Sequence, residues 1–133
     1  LWYDKSTSSD EVIWKGAVIL ISSDVIRGYN DTIVLSLLVQ GDSYGYEISK
    51  AIDRLSGGNY QIKETTLYST VNRLEKNGYI ASYYGNETFG KRRTYYRITG
   101  EGLRYYRGKC EEWELTKRVV DCFTRQTGNE RDG

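Results

Sequence analysis

The stretch that decides the fold is ETTLYSTVNRLEKNGYIASYYGNETFGKRRTYYRI, residues 64–98. In its first part, Leu67, Val71 and Leu74 recur at helical spacing. Gly78 follows at the place where a helix commonly stops in a left-handed conformation. These features predict a helix that turns one apolar side toward a core and ends near Gly78.

A β-hairpin and a long helix are predicted after this helix. Residues 80–84 and 94–98 are rich in β-formers, and a polar loop flanked by glycine, residues 85–93, joins them. Thr99 is then predicted to cap a last helix, whose apolar stripe follows a seven-residue repeat. The members of this repeat are Leu103, Tyr106, Cys110, Trp113, Lys117 and Val120, and Leu115, Val119 and Phe123 widen the apolar stripe.

Two helices are predicted before residue 64. The first begins at the N-cap residues around Asp24 and ends at Gly41, and the second begins at Asp42 and ends at two glycines. Residues 60–62 alternate like a short strand. The side chains expected to face inward are Ile26, Tyr29, Ile33 and Leu37 in the first helix, Tyr44, Ile48, Ala51, Ile52 and Leu55 in the second, and Tyr68 in the third.

The order of elements is helix, helix, short strand, helix, hairpin, helix. It predicts a mainly α fold with a small β-hairpin, namely a winged helix-turn-helix followed by a C-terminal dimerisation helix. We divide the chain into an N-terminal extension or tag remnant (1–22), a DNA-binding domain (23–98), a dimerisation helix (99–125) and a tail (126–133).

Composition excludes several function classes. The chain has 133 residues, a formal charge of +1 and no histidine, so it lacks imidazole-based nucleophile pairs and imidazole metal ligands. We therefore expect no catalytic residues, no metal and no cofactor, and the chain is predicted not to be an enzyme. No run approaches the roughly 18 apolar residues that span a bilayer. Cys110 and Cys122 lie about 18 Å apart along one helix, which indicates free thiols in the cytoplasm rather than a disulfide within the chain. A disulfide between two subunits is the alternative.

The polar side of the third helix, residues 64–77, is the candidate recognition surface. Asn72 has the side chain to read adenine, and Arg73 to read guanine or to bind phosphate. An ordinary solvated helix face is the alternative. Tyr46 and Tyr68 are weaker candidates for phosphate contact. The polar residues of this face are Thr65, Thr66, Ser69, Asn72, Arg73 and Lys76, with Lys63 at its entrance.

Three consecutive cations, Lys91, Arg92 and Arg93, lie at the end of the hairpin loop. A cluster of this kind commonly serves only solubility. Here it follows a candidate recognition helix by one element, and long cations at a hairpin tip reach narrow grooves. DNA contact is therefore favoured, and a winged module that binds protein through the same surface remains the alternative.

The last helix carries an apolar stripe that is broad for one chain of this size to cover. A second copy would cover it, with Trp113 near the seam. The stripe also fits packing against the first helix of the same chain, and both contacts can occur together. An aromatic ring at a two-fold seam is also suited to line a ligand cavity.

Three ordered motifs resemble the PadR family of transcriptional regulators, in its short branch with one C-terminal helix per chain. The resemblance covers about residues 24–123. The matching motifs are GDSYGYEI (41–48), TLY (66–68) leading to RLEKNGYI (73–80), and GKRRTYYRIT (90–99) with Gly102 beyond.

This resemblance implies a homodimer that places the third helix in the major groove of an operator and the wing at the flanking groove. It also implies a repressor that a small aromatic compound releases from double-stranded DNA. Trp113 matches the position that stacks the ligand, and Thr32 and Ser36 would face it. At the position of Lys117, drug-binding members of the family tend to have an acidic residue. The lysine in this chain therefore disfavours a cationic ligand. The residues assigned to the dimer and effector region are Thr32, Ser36, Cys110, Trp113, Lys117 and Val120.

Overall fold

The computed structural model describes residues 19–88 and 90–132, with the side chains of residues 87, 88, 91 and 126–132 outside that description. The chain is mostly helical with one three-stranded antiparallel sheet, so the predicted fold class is confirmed. The elements are α1 (Ser23–Ile26), a 3-10 turn (Arg27–Tyr29), α2 (Asn30–Gln40), β1 (Ser43–Tyr44), α3 (Gly45–Leu55), α4 (Glu64–Lys76), β2 (Ile80–Thr88), β3 (Lys91–Ile98) and α5 (Gly100–Asp132).

The first predicted helix is broken, which sequence periodicity did not indicate. Ser22 caps α1, since its Oγ accepts a hydrogen bond from the Val25 amide at 3.2 Å. The 3-10 turn follows and contains Gly28, whose freedom disfavours a continuous helix. The chain enters α2 at Asn30, whose buried side chain accepts a 2.5 Å hydrogen bond from the Tyr60 hydroxyl.

The core forms where α2, α3 and α4 meet the hairpin. In α2 the deeply buried residues are Val34, Leu35 and Leu38, while the predicted Ile33 and Leu37 are only partly buried. The difference arises because α2 contacts α5 on one side and α3 and α4 on another, so more than one stripe of it is covered. The other buried apolar residues are Ile48, Ile52, Ile62, Leu67, Val71, Leu74, Ile80 and Tyr96.

Four further expectations are wrong, two about the interior and two about strands. Leu55, 65% exposed, is the last residue of α3, and Tyr68, 48% exposed, lies about 100° around α4 from the buried Leu67. Residues 60–62 form no strand; the third strand is Ser43–Tyr44, which was expected inside a helix. Backbone pairing of β1 with β3 overrides the helical spacing there.

The hairpin is longer than predicted. β3 lies between β1 and β2, and Ile80 pairs with Ile98 at the base. The register shifts between Tyr84 and Glu87, which marks a bulge. The strands thus extend into the region expected to be a loop, and Arg92 belongs to β3 rather than to a free loop.

The junction between the hairpin and α5 is tight. Thr99 Oγ1 accepts a hydrogen bond from the Gly102 amide at 3.0 Å and donates one to the Gly78 carbonyl at 2.7 Å. Gly78 has φ of 81°, as the predicted left-handed stop requires. A Cβ on Gly102 would lie 2.0 Å from the Tyr79 carbonyl oxygen, so only glycine permits this approach. From there α5 runs past residue 125, where the pattern placed its end, to Asp132.

Candidate nucleic-acid interface

One side of α4 is buried and the other is open. Leu67, Val71 and Leu74 are at most 3% exposed, so the predicted inner face of this helix is confirmed. The helix also buries Thr70, whose hydroxyl donates to the Thr66 carbonyl at 2.8 Å. The exposed residues on the other side are Lys63, Thr65, Ser69, Asn72, Arg73 and Lys76, with Thr66 partly exposed.

The N-terminal end of α4 lies beside that of α3. Lys63 occupies the N-cap position of α4 and provides no side-chain cap, so the amides of the first turn are available to an external acceptor. Tyr46 and Tyr68 line a cleft of about 360 Å³ between the two helices and are 67% and 48% exposed. Lys50 Nζ lies 5.6 Å from the centre of the Tyr46 ring. The lining of the cleft therefore contains the tyrosine hydroxyls and the Glu64 carboxylate, and the Lys50 ammonium lies beside Tyr46 outside that lining.

The two wing arginines lie in different surroundings. Arg92 is exposed, and its guanidinium carbon lies 5.2 Å from the centre of the Tyr84 ring. Arg93 stacks on Tyr44 at 4.0 Å. A hydrogen bond with the Tyr95 side chain raises the pKa of Arg93. Arg93 is thus held on the sheet while Arg92 is open to solvent; the period-two alternation of a strand already implied opposite faces for them.

The third wing cation, Lys91, belongs to β3, and its side chain lies outside the described residues. The wing itself packs against α4. Ser82 Oγ on β2 donates a 2.6 Å hydrogen bond to Glu75 Oε2 on α4. The position of the wing relative to α4 is therefore set by a direct contact between the two elements.

Arg73 has a partner that the sequence did not indicate. Its guanidinium forms an ion pair with Asp31 in the first turn of α2. The Tyr105 hydroxyl on α5 donates to the second Asp31 oxygen at 3.3 Å. Burial raises the pKa of Tyr105, and the nearby Asp31 charge raises it further. These partners are 42 and 74 residues from Asp31 along the chain, so no local pattern reveals them.

Only some of the residues assigned to an effector lie together. Thr32 and Trp113 line one cleft of about 240 Å³ between α2 and α5. The Trp113 ring meets Tyr29 edge-on, with centroids 5.0 Å apart. The lining residues that were not predicted are Val25, Gly28, Tyr29, Lys109 and Glu112. Lys109 and Glu112 form a 3.0 Å ion pair, and this hydrogen bond raises the pKa of Lys109. The cleft therefore holds an acidic group, already neutralised by its neighbour.

The remaining assigned residues lie outside the lining of that cleft. Ser36 donates its hydroxyl to the Ile33 carbonyl at 2.6 Å. Lys117 pairs with Glu114 at 2.9 Å, and its ammonium lies 5.7 Å from the Trp113 ring. Cys110 is partly buried and Val120 is 51% exposed.

A broad apolar face of α5 is open in the single chain. Its large hydrophobic residues are 41–68% exposed. They are Trp113, Leu115, Val119, Val120 and Phe123. Within the described residues, no helix has the length and apolarity to cross a membrane, and no group of three or more acidic or thiol side chains is arranged to hold a metal ion.

Comparison with known proteins provides independent evidence on the family of this chain. The model of the family described as "Transcriptional regulator PadR-like family" matches residues 34–108. The structure of a transcriptional regulator from Clostridium thermocellum is 70% identical, covers 79% of this chain and 99% of its own, and has a TM-score of 0.74. A PadR family transcription regulator from hypervirulent Clostridium difficile R20291 is 38% identical, with 72% and 98% covered and a TM-score of 0.63.

Two further proteins are similar to this chain in sequence. An uncharacterized protein of Lysinibacillus sphaericus is 44% identical over 104 residues, which is 78% of this chain and 95% of the relative. Transcriptional regulator YqjI of Escherichia coli is 30% identical over 88 residues, or 66% of this chain. The match spans 41% of YqjI, so the similarity concerns less than half of that longer protein.

Proposed function

The chain belongs to the PadR-like family of transcriptional regulators, and we propose that it is a homodimeric repressor that binds an operator in double-stranded DNA. The exposed polar face of α4, packed beside the wing through Ser82 and Glu75, is the feature that supports DNA binding most strongly. Its named relatives are regulators, and we infer that this chain too is not an enzyme. A protein that binds chromosomal DNA and keeps free thiols is placed in the cytoplasm.

α4 is the element we place in the major groove. Thr65 and Ser69 carry short hydroxyls near its start, which allow the helix to approach the duplex closely. Asn72, exposed in the middle of the helix, has an amide suited to adenine. Phosphate contacts then come from cations and hydroxyls around the helix ends: the exposed Lys63, Lys76, Tyr46 and Tyr68, and the partly exposed Thr66.

The wing is the element we place at the flanking groove. Of the three consecutive cations, Arg92 is exposed, with its guanidinium 5.2 Å from the centre of the Tyr84 ring. Lys91 precedes it directly. Arg93 would have to leave its 4.0 Å contact with Tyr44 before touching DNA, so we assign the larger share of the wing contact to Arg92.

Reversing the charge of Arg92 tests the DNA interaction. In a gel-shift titration with a duplex from the region upstream of the gene, Arg92→Glu is expected to weaken binding at least about tenfold, and to lower the slope of log affinity against log salt by about 1. Arg107→Glu, at an exposed position of α5, makes the same charge change away from the wing and should leave binding within about twofold. Equal affinities of the wild-type and Arg92→Glu chains would contradict the DNA role of the wing, and no duplex binding by wild type at low salt would instead favour a protein-binding module.

The cleft between α2 and α5 is where we place an effector. Tyr29, Thr32 and Trp113 give it two aromatic rings and a hydroxyl, and its 240 Å³ suits a small planar molecule. Because Glu112 is already paired with Lys109, a neutral or anionic aromatic compound fits better than a cationic one.

Release of DNA by a panel of small aromatic compounds tests this assignment. We expect at least one compound to weaken operator binding by the wild-type chain about tenfold, and Trp113→Leu to abolish that response while still binding DNA. Thr116→Ala, which alters a partly exposed α5 residue that does not line the cleft, is the matched control. A response that survives in Trp113→Leu would place the effector elsewhere.

A further inference from the structure

One carboxylate joins three helices. Asp31 lies in the first turn of α2, and its side chain is only 16% exposed. One of its oxygens pairs with Arg73 on α4, and the other accepts the Tyr105 hydroxyl from α5 at 3.3 Å. The recognition helix is therefore connected through Asp31 to the helix that carries the open apolar face.

A second connection reaches the same tyrosine. The Tyr105 ring stacks on Tyr79, with centroids 4.1 Å apart and planes 12° from parallel. Tyr79 lies three residues beyond Lys76, the last residue of α4, and its amide donates to the Leu74 carbonyl at 2.9 Å. Tyr105 thus contacts the segment just after α4 through its ring, and its hydroxyl is linked through Asp31 to Arg73 in the last turn of α4.

The surroundings of Asp31 oppose the release of Arg73. If Arg73 turned toward DNA, the mostly buried Asp31 carboxylate would lose its guanidinium partner, and an unpaired buried charge is costly. The Tyr105 hydroxyl alone is a weaker partner for it. Lys109 lies near the same site, with its ammonium 5.7 Å from the Tyr105 ring, but it is bound to Glu112.

We propose that Asp31, Arg73 and Tyr105 form a positioning junction that sets the orientation of α4 relative to α5, and that Arg73 serves DNA recognition through Asp31 instead of touching DNA. The proposal rests on the DNA-binding function proposed above. It also provides a route for regulation, because Lys109, one turn beyond Tyr105, lines the cleft that contains Trp113. A displacement of α5 at that cleft reaches α4 through the junction.

Replacing Asp31 distinguishes direct DNA contact by Arg73 from positioning of α4 by Arg73, because the two roles predict opposite changes in operator affinity. If Arg73 gripped DNA, Asp31→Asn would free it and remove a repelling charge, so operator affinity would rise or stay unchanged. If the junction positions α4, Asp31→Asn lowers affinity for the operator about tenfold and leaves affinity for an unrelated duplex within about twofold. Glu101→Gln is the control, since it removes the same charge from an exposed ion pair with Arg104.

Two further variants keep the test decisive if Asp31→Asn folds poorly. Tyr105→Phe retains the ring stack on Tyr79 but removes the hydroxyl, and we expect a loss of operator affinity in the same direction. The double exchange Asp31→Arg with Arg73→Asp restores an ion pair of reversed polarity. Partial recovery of operator binding relative to Asp31→Arg alone supports the junction, because a carboxylate at position 73 would repel a contacted phosphate; a further loss overturns it.

Failure of the junction is distinguishable from failure of DNA binding. Urea unfolding of the single and double variants Asp31→Asn and Arg73→Gln measures their coupling without DNA. Additive stability changes would overturn the junction even if the wild-type chain binds its operator. Coupled changes in a chain that binds no duplex would instead contradict the proposed function and leave the contact between the helices established.

Discussion

Gly102→Ala is expected to destabilise the protein by about 3 kcal/mol, the upper part of the range for overpacked sites. The new methyl group would meet the Tyr79 carbonyl oxygen at 2.0 Å and the Ile98 side chain at 2.9 Å. Neither the carbonyl nor the helix can withdraw easily, because the Tyr79 carbonyl also accepts the Thr99 amide at 3.0 Å. Relief of the clash would therefore displace α5 from the hairpin.

Urea unfolding followed by circular dichroism measures this effect, and the same helix offers a control. A Cβ at Gly108 meets no atom within 4 Å, so Gly108→Ala is expected to stabilise the helix by up to about 1 kcal/mol. The two identical substitutions should thus change the unfolding midpoint in opposite directions. A Gly102→Ala protein as stable as Gly108→Ala would show that the close approach of α5 to Tyr79 is absent.

If the proposed dimer forms through this face, Val120→Lys is expected to yield monomers and to weaken operator binding about 100-fold or more, since two linked half-site contacts become one. Val120 is 51% exposed on the open face of α5. A lysine there would take a charge into the apolar seam, one turn from Lys117, where desolvation and like-charge repulsion act together. Sedimentation velocity reports the assembly state, and the gel-shift titration reports the affinity.

Glu111→Gln is the matched control for this experiment. It changes the net charge by the same amount, and its position is roughly 180° around the helix from Val120. We expect it to remain dimeric and to keep its operator affinity. A Val120→Lys chain that sediments as wild type would contradict the assignment of this face to the second copy.

Much of the fold was predictable because it depends on local patterns. The spacing of Leu67, Val71 and Leu74 defined α4, and Gly78 ended it as expected. The strand at Ser43 and Tyr44 was not predictable, because only pairing with Tyr96 and Tyr95 makes those residues extended. The break between α1 and α2 falls at the 3-10 turn that contains Gly28, and the hydrogen bond of Asn30 at the start of α2 comes from Tyr60, thirty residues away.

In the candidate site, too, the features set by local sequence were predictable and the contacts between distant residues were not. Periodicity alone placed Thr65, Ser69 and Asn72 on the exposed side of α4. It gave no information on which cations are free, because that depends on contacts between distant elements. Arg73 lies against Asp31 and Arg93 against Tyr44, whereas a cluster of charges in the sequence makes all its members look equivalent.

The tight junction at Gly102 also has a mechanical consequence. Val120 lies 18 residues further along α5, so about 27 Å of helix separates Gly102 from the middle of the apolar face. A tilt of only about 5° at the junction displaces that face by about 2 Å, given this length. In the proposed dimer, the two copies of α4 must match half-sites about 34 Å apart, so we infer that the packing around Gly102 limits the tolerance for operator spacing.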